Sequence, residues 1–242
     1  MGLVHPKKKT KLTRVFLPSV FSFFLSSDSF DPVRRSAFFR KVRALSELHA
    51  LKKALQSNQP IRIGVGSSGV TDEGWYATEI EFLNLLKEID WKKLFKASSV
   101  SAILAEHVWE HLTEEEAVIA AQNCYKYLKP GGYIRVAVPD GLRPDPSYIE
   151  WVKPNGIGSG DEHKQLYTYR TLSNVFEKVG FRVELYEYYD EKEEFHFKEW
   201  NPQDGMIHRS KRYDHRNQLG EVRYTSIILD GVKLPGWLRA SR

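Results

Sequence analysis

Two short strings in this sequence carry residue types that do chemistry. Gly64-Val65-Gly66-Ser67-Ser68-Gly69 sets glycines in a tight turn directly after an apolar strand signal, Ile61–Val65. Glycine there lets the backbone approach a ligand with no side chain in the way. His107-Val108-Trp109-Glu110-His111 spells H-x-x-E-H, a zinc-peptidase pattern in which two histidines on one helix bind the metal. Each string makes demands on its surroundings, and those demands decide what it can do.

A dinucleotide site would need the glycine turn to open a helix whose N-terminus holds a pyrophosphate. Only Val70–Gly74 separates Gly69 from Trp75-Tyr76-Ala77-Thr78-Glu79-Ile80-Glu81, which reads as the next strand. There is no room for that helix, so the expected ligand is nucleoside-like without a pyrophosphate. Glu79, at the end of this strand, is placed to accept hydrogen bonds from ribose hydroxyls. The histidine string needs a long helix and a third ligand. The strand Val100–Ala105 runs straight into it and Thr113 caps the next helix, so residues 107–112 read as a loop or single turn. No metal is expected.

The elements that must position these residues follow a βα rhythm. Thr113 with Glu116 makes a capping box, and Ala117, Val118, Ala121, Cys124 and Leu128 form the apolar face of the helix behind it. Lys129-Pro130-Gly131-Gly132 stops that helix before the strand Tyr133–Val138. Leu172, Val175, Phe176 and Val179 repeat at helical spacing up to Gly180, ahead of the strand Phe181–Tyr188. Strand, helix, strand in succession calls for crossovers and a mostly parallel sheet. The expected fold class is α/β, a Rossmann-like sheet flanked by helices.

Several strings together resemble the class I S-adenosylmethionine-dependent methyltransferases, in particular a compact branch in which a Gly-Trp pair replaces the first helix. They are Ile61–Gly66, Gly74-Trp75, Glu79, Ala105-Glu106-His107-Val108-Trp109-Glu110-His111-Leu112, and Tyr127-Leu128-Lys129-Pro130-Gly131-Gly132 running on to Asp140, with Tyr224–Lys233 as a closing strand. The resemblance covers roughly residues 60–233. It implies S-adenosyl-L-methionine as cofactor, held by Gly64, Gly66, Glu79 and Glu106, and methyl transfer to a small-molecule or glycan acceptor. Methyl transfer from a sulfonium depends mainly on in-line positioning. A base assists where the acceptor is a hydroxyl, and His107 and His163 are the candidates. Family members usually carry an acidic or amide residue two places before the first glycine, and this chain has Arg62. That departure favours one alternative, a cofactor-binding domain without catalysis; zinc hydrolysis through H-x-x-E-H is the other.

Charge is unevenly spread. Residues 1–60 hold twelve Lys/Arg against three Asp/Glu, a balance of +9 within a total of +5. The remainder is therefore acidic, and no nucleic-acid partner is expected because a basic footprint would have to line the folded domain. The single cysteine excludes a disulfide framework and fits a cytoplasmic setting. The chain reads as an arm and helix over 1–60 and a catalytic domain over 61–242. In the arm, Lys7, Lys8, Lys9, Lys11 and Arg14 precede Phe16, Phe21, Phe23 and Phe24, an order suited to peripheral contact between residues 7–25 and an anionic membrane surface. Phe38, Val42, Leu45, Leu48 and Leu51 predict a helix over Pro32–Leu55.

Overall fold

A computed structural model describes residues 32–57, 59–67, 71–158, 162–220 and 222–236. The basic and aromatic arm lies outside them. By packing, the chain divides into two compact units, Met1–Arg40 and Lys41–Arg242; the second carries everything described below except the first residues of α1. No helix among the described residues is long and apolar enough to cross a membrane.

The elements run α1 (Pro32–Leu55), β1 (Ile61–Val65), β2 (Tyr76–Thr78), α2 (Glu88–Leu94), β3 (Val100–Glu106), α3 (Glu114–Tyr127), β4 (Leu128–Val138), α4 (Pro146–Val152), α5 (Tyr169–Val179), β5 (Arg182–Tyr189), β6 (Phe195–Phe197) and β7 (Ile227–Val232). The strands form one seven-stranded sheet in the order β2-β1-β3-β4-β7-β5-β6. The first four are parallel, and β7 runs against both β4 and β5. This is the expected Rossmann-like α/β sheet. The chain passes from β1 outward to β2 and then returns to the other side of β1 as β3. The crevice between the carboxyl ends of β1 and β3 is thus the topological switch point, where open α/β sheets bind ligands.

Side chains alternate across the strands and so build two cores. Ile63, Ile103, Ile134, Val136 and Leu229 face one way and pack with Trp91 of α2, Ala117 and Ala121 of α3, and Phe176 of α5. Leu104, Ala137 and Ile228 face the other way, under Trp200, Met206, Ile207 and Tyr213 from the long excursion between β6 and β7. That excursion is tied down by Arg135, only 2% exposed. Its guanidinium donates to both carboxylate oxygens of Asp230, directly opposite on β7, at 2.8 and 2.9 Å. It also donates to the carbonyls of Asn201 and Gly205, and it lies over the rings of Tyr186 and Trp200.

The capping box forms as expected: Thr113 N donates to Glu116 Oε2 at 2.8 Å and Glu116 N donates to Thr113 Oγ1 at 3.2 Å. Gly180 closes α5 in the left-handed region, with φ +101°. Three local expectations change. The strand expected over Trp75–Glu81 is only Tyr76–Thr78, because the carbonyl of Glu79 accepts from Phe82 N and Leu83 N and turns the chain. The Lys129–Gly132 stretch is part of β4 as an irregularity: Val100 pairs with Leu128 but Ala102 pairs with Tyr133, and the looped-out Gly131 and Gly132 bond to Lys233 beyond β7. Leu45 is 66% exposed, since the buried stripe of α1 runs through Ala44, Leu51 and Ala54.

Glu47 lies on that stripe, beside Arg43. Burial, with the carboxylates of Glu79 and Glu81 nearby and only partial relief from Arg43, pushes its carboxyl from 4.5 up to about 7. A carboxyl raised on folding adds stability that is complete below its unfolded value and is lost as pH rises through the folded one. Thermal melts of Glu47→Gln should therefore match the parent near pH 4 and exceed it at pH 8. Parallel Tm profiles across pH 4–8 would show that the carboxyl titrates normally.

Candidate active site

A cavity of about 310 Å³ opens at the switch point. Gly64, Gly66, Ser67, Thr71 and Asp72 line one side, Leu104, Glu106 and His107 the other, with Met206, His208 and Arg209 above. Its floor is backbone because of the glycines. Gly66 has φ +60°, and a Cβ there would sit 3.0 Å from Val108 Cγ2; at Gly64 it would sit 3.1 Å from Thr71 Cγ2. A second cavity, of about 490 Å³, continues past Val65, Gly66 and His107 toward Ile80, Leu83, Leu86 and Leu112. A polar half on the glycine turn and a more apolar half beyond it suit a nucleoside-bearing ligand.

Glu106, the last residue of β3, faces the excursion. Its Oε1 accepts from Arg209 N at 2.7 Å, and its Oε2 accepts from His208 N and lies 3.3 Å from His208 Nδ1. Burial acts to raise this carboxyl, but those hydrogen bonds outweigh it and hold Glu106 below its ordinary value. The same contact raises His208. His208 and Arg209 also line a third cavity, of about 830 Å³, with Tyr148, Trp151, Tyr213, Asp214, Arg216 and Tyr224. The two residues therefore form the partition between the switch-point cavity and this aromatic, cationic one.

His107 follows Glu106 with φ +56°, so its ring turns back into the sheet end. Its Nδ1 lies 2.8 Å from Glu110 Oε1, and its Nε2 is 3.2 Å from Ser226 Oγ. Both ring nitrogens are engaged. To accept a proton from a ligand hydroxyl, His107 would have to release Ser226.

Of the residues singled out from sequence, Gly64, Gly66, Glu106 and His107 meet around the switch-point cavity. Glu79 and His163 line none of the three cavities. Glu79 is buried just after β2, close enough to Glu47 to act on it electrostatically. His163 is buried against Val152 and His111. Arg62 lines none of these cavities and donates to the carbonyl of Gln203. His208, by contrast, carries no local signal beyond its place in a polar, aromatic stretch.

No protein-family model matches the chain, and no curated protein matches it. Among solved structures it is similar to a SAM-dependent methyltransferase from Archaeoglobus fulgidus, with 15% identity over 78% of this chain and 93% of that one, at a TM-score of 0.41. It is also similar to a SAM-dependent methyltransferase from Thermotoga maritima, with 14% identity over 83% and 94%, at 0.44. An O-methyltransferase family protein from Burkholderia thailandensis gives 10% identity over 85% and 61%, at 0.45. The strand order, with β7 reversed in a mostly parallel sheet and a glycine turn at the switch point, is a Rossmann-like α/β fold.

Proposed function

We propose that this chain transfers a methyl group from S-adenosyl-L-methionine to a small-molecule or glycan acceptor. The observation that supports the reading most is the glycine-floored cavity at the β1/β3 switch point, with Glu106 and His107 at its edge. The glycine backbone fits the cofactor because a Cβ at Gly64 or Gly66 would crowd its neighbours to 3.1 or 3.0 Å. When bound, the cofactor supplies a methyl group on a sulfonium centre. The protein's own task is then to hold the acceptor in line and keep water out.

The third cavity is the acceptor side in this reading. Trp151, 54% exposed, offers a flat face for a sugar ring, and Arg209 offers charge to an anionic group, while Arg216 is held by both oxygens of Asp214. His208 stands at the partition between the two cavities. Raised by Glu106, it is the better-placed base for a hydroxyl acceptor than His107, whose nitrogens are both occupied. Calorimetric titration of the full chain with S-adenosylmethionine and with its demethylated product is the test. Saturable one-to-one binding of both is expected; no heat from either would remove the cofactor and with it the proposed reaction.

A further inference from the structure

The geometry points to a divalent metal site, of the kind that takes zinc, made by Glu110, His111 and His163. One ligand atom from each lies within 4.8 Å of the others. A tetrahedral zinc with bonds of about 2.0–2.2 Å brings its donors to roughly 3.4 Å apart, so these side chains need close by at most about 1.4 Å. The expectation of no metal rested on the lack of a long helix and of a third ligand for His107 and His111; the set here is a different one, and its His163 comes from far downstream.

The histidines are prepared as ligands. His163 Nδ1 is 2.7 Å from the carbonyl of Val152, and His111 Nδ1 is 3.2 Å from the carbonyl of Glu162. A carbonyl can only accept, so in both rings Nδ1 must carry the hydrogen and Nε2 keeps its lone pair. A backbone carbonyl fixing one ring nitrogen while the other faces a metal is the usual outer-shell arrangement of metal-binding histidines. The rings meet edge to face, with centroids 4.9 Å apart.

The carboxylate is the independent sign. Glu110 is 1% exposed, and neither of its oxygens accepts a hydrogen bond. His107 Nδ1 comes within 2.8 Å of Oε1 without making a directed bond. The charge of this buried carboxylate is offset by His107 when that ring is protonated, and a bound cation would offset it in either state. The frame is already in place, because Lys164 N and Gln165 N both donate to the Glu110 carbonyl, at 2.7 and 3.1 Å. That ties the loop carrying His163 to the turn Trp109–His111. A metal here would clamp these two segments and fix Glu110 against His107, at the rim of the switch-point cavity. Its role is positioning.

Protein purified without chelator should hold metal in elemental analysis, or, after stripping, bind zinc chloride with a rise in Tm. Cobalt(II) chloride should give visible absorption typical of a tetrahedral site. His163→Gln and Glu110→Gln, which preserve size, should weaken zinc binding by at least about tenfold, since losing a ligand costs no less than losing an outer-shell partner. His107→Ala should retain the metal. Absence of zinc binding by the folded parent, or unchanged affinity in both His163→Gln and Glu110→Gln, would overturn the site. Metal content and cobalt absorption are read without the methyl donor, so this result stands apart from that of the proposed transfer.

Discussion

Gly66→Val should lose S-adenosylmethionine affinity by about a hundredfold or more. Gly66 sits at φ +60°, and its N–H donates to the carbonyl of Thr78 at 3.0 Å. A β-branched residue in that region is strained by on the order of 1–3 kcal/mol, equivalent to roughly 5- to 150-fold in an equilibrium. Its Cβ would also meet Val108 Cγ2 at 3.0 Å. Strain and occlusion can be separated with Gly66→Asn, because asparagine tolerates the left-handed region. If the ligand rests on this turn, calorimetry should show weak binding in both variants while only the valine variant melts early. An asparagine variant that binds as the parent does would mean that the ligand lies elsewhere.

The second large effect concerns Arg135. With Arg135→Met, the Asp230 carboxylate remains 6% exposed and loses the guanidinium that holds both of its oxygens. Stranding one member of a buried pair typically costs about 3–5 kcal/mol, whereas replacing both by apolar residues of similar volume is often neutral. Urea unfolding should accordingly show a steep loss in Arg135→Met and substantial recovery in Arg135→Met/Asp230→Leu. Recovery should be incomplete, since the carbonyls of Asn201 and Gly205 lose their donor in either case. If the single and double variants unfold at the same urea concentration, the stranded carboxylate is not the source of the loss. The excursion that brings His208 and Arg209 to the site rests on this residue, so cofactor affinity should fall with stability in the single variant.

What sequence could reveal here was local. The Thr113 and Glu116 cap, the left-handed Gly180 and the apolar strands each depend on residues within a few positions of one another, and they stand where their spacing put them. Helix α2 was missed because seven residues, Glu88–Leu94, are too few for a periodicity to register. The turn after Thr78 depends on which carbonyl Phe82 and Leu83 find, and β propensity does not encode that. Half of the site is long-range. Glu106 meets His208 and His111 meets His163 only because loops far downstream pack against the end of β3 and the turn after it, and no window over the chain spans those distances. The glycine turn was readable because its shape is set by backbone, with Gly66 at φ +60°.

The position of β7 also bears on how this molecule comes into being. Residues 227–232 are almost the last described, yet they lie between β4 and β5, pairing along Tyr133–Val138 on one side and Arg182–Glu187 on the other. A chain growing from its N-terminus can assemble β2, β1, β3 and β4 early, but the β4 edge then stays unpaired while nearly a hundred more residues are made. An open strand edge is a template for pairing with other chains, and non-local pairing is slow to form. Synthesis must pass Val232 before the sheet can close, and until then shielding of the β4 edge falls to whatever packs on it, such as the chain's own helices.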